Sequence, residues 1–128
     1  MLLTVRFSKE RRLSRSSEFR RVGAQGGSYR GKYLILAVLA DEELVSIKAG
    51  FITGKRLGKA VLRNRVRRRL QAVLVELGDR IRPGHYLVTV ARQMAADASY
   101  VALKREWTWL GHRAGIFATA MENDPLRS

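Results

Sequence analysis

Lys55-Arg-Leu-Gly-Lys59-Ala-Val-Leu-Arg63-Asn64-Arg65-Val-Arg67-Arg68-Arg69-Leu70 places eight positive charges in the fifteen residues 55–69, on a spacing that also reads as an amphipathic helix. Leu62, Val66, Leu70, Val73 and Leu77 recur at steps of four, four, three and four, the stripe of a helix buried along one side. Arg63, Asn64, Arg65, Arg67, Arg68 and Arg69 fall off that stripe, so apolar packing pins the helix while the arginines stay in water. Arg63 with Arg67, and Arg65 with Arg69, are like charges one turn apart. Such pairs repel, and an ordinary solvated face mixes its signs. The run therefore calls for an anionic partner. Each guanidinium that neutralises a phosphate releases counterions, which makes binding strong, salt-dependent and mostly blind to base sequence. Gly54 and Gly58 flank Lys55, Arg56 and Lys59 just ahead of the helix, where free backbone N–H groups and the helix dipole already favour an anion. The loop lacks the Walker spacing, which argues against a nucleotide-binding P-loop.

Elements of a mixed fold lie on either side. Residues 1–12 read as a basic flexible arm, residues 13–120 as a single α/β domain, and residues 121–128 as a frayed tail. A first helix is expected over residues 16–24, capped by Ser16 or Ser17, with Phe19 and Val22 on one face and Gly23, Gly26 and Gly27 ending it. The apolar run over residues 33–39 and the alternating run over residues 44–53, in which Val45, Ile47, Ala49 and Phe51 share a face, read as strands. The acidic turn at Asp41, Glu42 and Glu43 suggests that they form a hairpin. Gly78 stops the arginine helix, Arg82-Pro83-Gly84 turns the chain, and residues 86–91 form another strand. Asp97 or Ser99 caps a last helix whose Tyr100, Leu103, Trp107, Leu110, Ala114 and Phe117 step by three and four, with Gly111 and Gly115 weakening it slightly. These residues give the order α, β, β, α, β, α, with room for one further strand before the arginine helix, which makes it αβββαβα.

Composition narrows the function. A formal charge of +14 on 128 residues points first to nucleic acid and then to a membrane surface. The charge is uneven, with nine Lys/Arg against two acids in residues 1–40, nine against three in 41–75, and seven against six in 76–128. No acid stands between Glu43 and Glu76, so nothing local offsets the helix. The chain has no cysteine, hence no disulfide, thiolate metal site or thiol nucleophile, which fits a cytoplasmic location. No apolar run approaches the roughly 18 residues of a membrane span, and the N-terminus lacks the apolar core of a signal peptide. His85 and His112 are isolated, and the acids are not spaced as metal-binding pairs. No catalytic residue is assigned and no metal ligand is named. Among the aromatics, Phe19, Tyr29 and Tyr33 sit near Arg20, Arg21, Arg30 and Lys32, a mixture suited to stacking single-stranded bases. Trp107 and Trp109 are assigned to packing.

The helix and its approach resemble the protein subunit of bacterial ribonuclease P. The match runs through Gly50-Phe51, Lys55-Arg56 and Gly58-Lys59-Ala60-Val61-Leu62-Arg63-Asn64-Arg65-Val66-Arg67-Arg68. Arg12-Leu13 with Glu18-Phe19 and Val22 is similar to the family's first helix, and the strand ending at Ala91-Arg92 to one of its strands. The likeness covers about residues 12–118.

The resemblance implies an α+β two-layer sandwich, a four-stranded mixed β-sheet with three helices, and a left-handed βαβ crossover against the usual right-handed rule. It also implies a protein component of ribonuclease P that supports endonucleolytic removal of the 5′ leader from precursor tRNA, the chemistry residing in the RNA with Mg²⁺ held mainly there. Its partners are the catalytic RNA subunit and precursor tRNA, with no membrane and no obligate protein partner. Carried over by position, Lys55, Arg56, Lys59, Arg63, Asn64, Arg65, Arg67 and Arg68 contact the RNA subunit. Phe19, Tyr29, Lys32 and Tyr33 serve the leader. Gly23 and Ala37 depart from the family, Gly23 standing where it often has Phe and Ala37 where some members have an aromatic residue, and Lys59 replaces a frequent Asn. A ribosomal or ribosome-assembly RNA-binding protein of similar fold is the alternative; a metal-dependent protein nuclease is disfavoured by the scarcity of spaced carboxylates.

Overall fold

In the computed structural model, which describes residues 11–13 and 15–118, the arginine-rich helix α2 spans Ala60–Leu77. It buries Val66, Leu70, Val73, Leu74 and Leu77, while Leu62 at its start is only partly covered. The other elements are α1 (Ser16–Gln25), β1 (Gly27–Arg30), β2 (Leu34–Ala40), β3 (Ile47–Ile52), β4 (His85–Ala91) and α3 (Tyr100–Ala114). The order αβββαβα is the expected one. Of the expected N-terminal arm, residues 1–10 lie outside the described residues, as does the tail; Arg12 bridges to Ala49, and the Leu13 N–H donates to its carbonyl at 2.9 Å.

The strands form one mixed sheet in the order β1-β2-β4-β3, in which β3 and β4 are parallel and the other neighbours antiparallel. The expected hairpin of β2 and β3 does not form, because β4 lies between them. The acidic segment instead arches over the Gly84 turn, with Asp41 N–H donating to the Gly84 carbonyl and Gly84 N–H to that of Ser46. A central strand with a parallel neighbour must tolerate cover on both faces, and β4, with Leu87, Val88 and Thr89 all buried, does so. Val45, expected to point inward, lies ahead of β3 and is 91% exposed.

Alternation along β2 sorts the two faces. Leu34 and Leu36 join Leu87, Ile47 and Ala49 in the main core beneath α2 and α3. Ala37 and Leu39 face the other way, where Leu13, Val22 and Val88 form a second cluster with Phe19 under α1. Phe19 lies against Gly50, where even a methyl group would stand 2.4 Å from its ring. No serine side chain caps α1, whose N-cap is Arg15; Ser99 does cap α3, accepting from the Ala102 N–H. Gly111 does more than weaken α3: a Cβ there would lie 2.5 Å from the Phe117 ring, so the glycine admits the returning chain.

Trp107 is fully buried, and its indole N–H donates to the buried Thr89 hydroxyl at 2.9 Å. A buried donor stripped of its acceptor costs its desolvation. Thr89→Val keeps the volume and removes the acceptor, so urea unfolding is expected to show a loss of about 1–3 kcal/mol.

Candidate RNA interface

The arginines of α2 divide by what holds them. Arg65 reaches the Ala96 carbonyl at 3.4 Å, Arg69 that of Ala98 at 2.6 Å, and Arg67 the Thr53 hydroxyl at 2.8 Å. The expectation that all of them stay free in water is thus corrected, since carbonyls on the segment leading into α3 take two of the guanidinium groups. These bonds stiffen the side chains without neutralising them. Lys55, Arg56, Lys59, Arg63 and Arg68 have no carboxylate partner among the described residues. The Nε atoms of Arg63 and Arg65 are buried with no acceptor among the described residues. Buried donors rarely go unmatched in native structures.

The loop before α2 carries the charge to the opposite face of the sheet. Lys55 and Arg56 stand at a cleft of about 620 Å³ with Arg30, Ile35, Ile52, Val90 and Arg92. Its floor is the part of the sheet that α1 leaves open, and Ile52 there is 41% exposed. Apolar floor and cationic rim together suit an extended polyanion whose bases lie against the sheet. Arg30 stands in the sequence among the basic neighbours of Tyr29, whereas Arg92 and the three apolar residues carry no such sign; strand alternation identifies Ile35 and Val90 once β2 and β4 are known to be neighbours.

The turn between β1 and β2 is clamped from two sides. Glu106 on α3 accepts the backbone N–H groups of Lys32, Tyr33 and Leu34 at 2.7–2.8 Å. A Cβ on Gly31 would lie 2.5 Å from the Glu106 carboxyl carbon, so that glycine admits the carboxylate. From the other side Arg92 donates to the Gly31 carbonyl at 2.6 Å, and its own N–H to the Tyr33 carbonyl at 2.7 Å. The rim that bears Arg30 is thereby held.

Elsewhere Asp41 and Glu76 are engaged. The N–H of Glu43, followed by the Arg21 guanidinium, holds the Asp41 carboxyl below the usual carboxylate range, and that pairing raises Arg21. Lys104, then Tyr100, lowers Glu76 where α2 meets α3. Desolvation, aided by the Glu76 hydrogen bond, pushes the Tyr100 phenol up to about 12.

Of the residues expected to serve the leader, Phe19 packs on Gly50 beside a smaller hollow of about 260 Å³ that also includes Arg12, Arg67 and Gln71. Tyr29 pairs with Leu36 and packs against the main core, on the side of the sheet away from the cleft. Lys32 lies 5.3 Å over the Tyr33 ring in the clamped turn, and Tyr33 also packs against the main core. Asn64 is exposed on α2 between Arg63 and Arg65. Gly23 is exposed within α1 and has open space where a side chain would stand. Among the described residues no three His, Asp or Glu side chains come together as metal ligands, and no helix is long and apolar enough to cross a membrane.

An α+β scaffold with an unmatched cationic helix beside an apolar cleft defines an RNA-binding protein. A family model described as Ribonuclease P matches residues 7–115. The ribonuclease P protein component of Symbiobacterium thermophilum is 38% identical over 84% of this chain and 94% of its own length. That of Syntrophomonas wolfei is 33% identical over 86% and 92%. In fold, a solved structure of a Staphylococcus aureus RNase P protein mutant superposes with a TM-score of 0.80 at 23% identity, covering 85% of this chain and 92% of that one. The chain belongs to the ribonuclease P protein family. It is the protein component of an endoribonuclease holoenzyme that processes tRNA 5′ ends, in association with the ribonuclease P RNA.

Glu106→Ala removes one acceptor from three backbone donors, and hydrogen exchange at the Lys32, Tyr33 and Leu34 amides is expected to accelerate while β4 stays protected. Tyr100 gives a pH signature. Its folded value of about 12 exceeds the roughly 10 of a free phenol. The stability it contributes is complete below pH ~10 and is lost as pH rises through its folded value. An alkaline absorbance titration should show a late tyrosinate component that Tyr100→Phe removes.

Proposed function

We propose that α2 and the loop before it dock the catalytic RNA, while the open sheet face holds the single-stranded 5′ leader of precursor tRNA, in the bacterial cytoplasm. The observation that carries this reading is the set of cations without carboxylate partners among the described residues, Lys55, Arg56, Lys59, Arg63 and Arg68. Phosphate oxygens are acceptors of the right charge for these groups. Arg65, Arg67 and Arg69, held by protein oxygens, present the remaining N–H groups with little freedom left to lose. Asn64 offers an amide to sugar or phosphate between two of these arginines.

At the cleft, Ile35, Val90 and Ile52 give bases an apolar floor, and Arg30, Lys55, Arg56 and Arg92 follow the backbone. Phe19 borders the leader path from α1, and Lys32 with Tyr33 extends it at the clamped turn. Tyr29 supports that turn from the other face. With Gly23 and Ala37 in place of aromatics, leader binding relies on charge and on aliphatic contact more than on stacking. Mg²⁺, held mainly by the RNA, would supply the activated water. The protein's part is to lower the repulsion between two polyanions, so that docking and metal occupancy need less Mg²⁺.

Reconstitution tests this reading. The protein alone is expected to leave precursor tRNA intact, and protein with catalytic RNA to cleave it at Mg²⁺ concentrations too low for the RNA alone. Lys59→Ala with Arg68→Ala should weaken binding to the catalytic RNA, flatten its salt dependence by about one unit of slope per removed phosphate contact, and regain cleavage at high Mg²⁺. Wild-type cleavage by the double variant at low Mg²⁺ would overturn the docking assignment.

A further inference from the structure

The outer face of α3 carries a second feature that neither α2 nor the cleft accounts for. Val101, Arg105, Trp109 and Arg113 follow one another at steps of four along the helix, about 6 Å per step. Val101 is 60% exposed and Trp109 51%, and both arginines are exposed. The Arg113 guanidinium lies over the Trp109 ring, 5.0 Å from its centroid, so a cation of the same helix borders the half-exposed indole. Arg105, one turn earlier, pairs with no carboxylate among the described residues. Glu106, the only acid on α3, is already engaged by three backbone N–H groups. A large indole left half in water between two arginines, with no acid beside it, has the chemistry of a base-stacking platform: the ring takes a nucleobase face and the guanidinium groups take the flanking phosphates.

We propose that Trp109, flanked by Arg105 and Arg113, stacks an unpaired nucleobase of the catalytic RNA subunit, giving the holoenzyme a protein–RNA contact separate from α2. The proposal rests on the assignment of this chain to the ribonuclease P holoenzyme. The RNA subunit is favoured over precursor tRNA by position. α3 lies in the same helix layer as α2, on the face of the sheet opposite the cleft that Ile35 and Val90 floor. Charge favours RNA over a protein partner, because the ridge offers two unneutralised cations and no free carboxylate.

The test uses the full chain with its catalytic RNA, with and without precursor tRNA. Trp109→Ala is expected to weaken binding to the catalytic RNA roughly 5- to 100-fold, with thermal unfolding unchanged because the side chain is exposed. Trp109→Phe, which keeps a ring, should retain most of the affinity. Arg105→Ala and Arg113→Ala should each lower the salt slope by about one. In the wild type, RNA should quench the Trp109 emission while the buried Trp107 emission persists. Unchanged catalytic-RNA affinity in Trp109→Ala overturns the proposal. So does a defect confined to precursor tRNA affinity, or one that changes only the oligomeric state. A wild-type chain that fails to support cleavage at low Mg²⁺ refutes the holoenzyme assignment itself, so the two failures are distinguishable.

Discussion

Everything in this protein depends on the burial of one side of α2. The helix concentrates cations on its outer side, and each like pair one turn apart disfavours the helix by roughly 0.2–0.5 kcal/mol. Against that stand Val66, Leu70, Val73, Leu74 and Leu77, all buried. Removing a Val or Leu side chain from water is worth about 1.5–3 kcal/mol, so the stripe outweighs the repulsion several times over. An isolated peptide of this sequence would have no such support. The sheet therefore makes the charge density sustainable, and the charge density gives the sheet its function.

The same dependence explains which parts of the fold were legible in the sequence. The α2 stripe repeats over four turns and the helix lies where the spacing puts it, whereas α3 follows its stripe only to Ala114: Gly115, in the left-handed region, ends the helix, and Phe117 bridges to Ile81 instead of continuing it. β4 was recognisable as apolar, but its place between β2 and β3 is a relation between segments about forty residues apart, which no local pattern encodes. The supposed hairpin followed from adjacency alone. β1, four residues in a glycine-rich stretch, owes its strand character to pairing with β2 rather than to its own composition.

At the interface the cations were legible as a set, while their individual states were not. Sequence spacing places Arg65 and Arg69 off the apolar stripe; only the folded chain brings the Ala96 and Ala98 carbonyls to them. The cleft was hidden for the same reason, because Arg30, Ile35, Ile52 and Val90 converge from four strands. Tyr29 illustrates the converse. Its neighbours in sequence are basic, yet a strand alternates, and the register with Leu36 turns it toward the core. Trp109, assigned to packing with Trp107, lies two residues along the helix and so nearly half a turn round it, which separates a buried indole from an exposed one.

Function then follows from how short the connection is between the two faces. Residues 53–59 leave the end of β3, line the cleft with Lys55 and Arg56, and enter α2 at Ala60. Within one loop the chain passes from the open face of the sheet to the helix layer on the other. Thr53, at the start of the loop, accepts a hydrogen bond from Arg67 two turns into α2, which ties the strand end to the charged face. A polyanion on α2 and a second strand in the cleft would thus be held by one rigid connector rather than by separate mobile arms. Pre-organisation of that kind reduces the ordering that binding must impose.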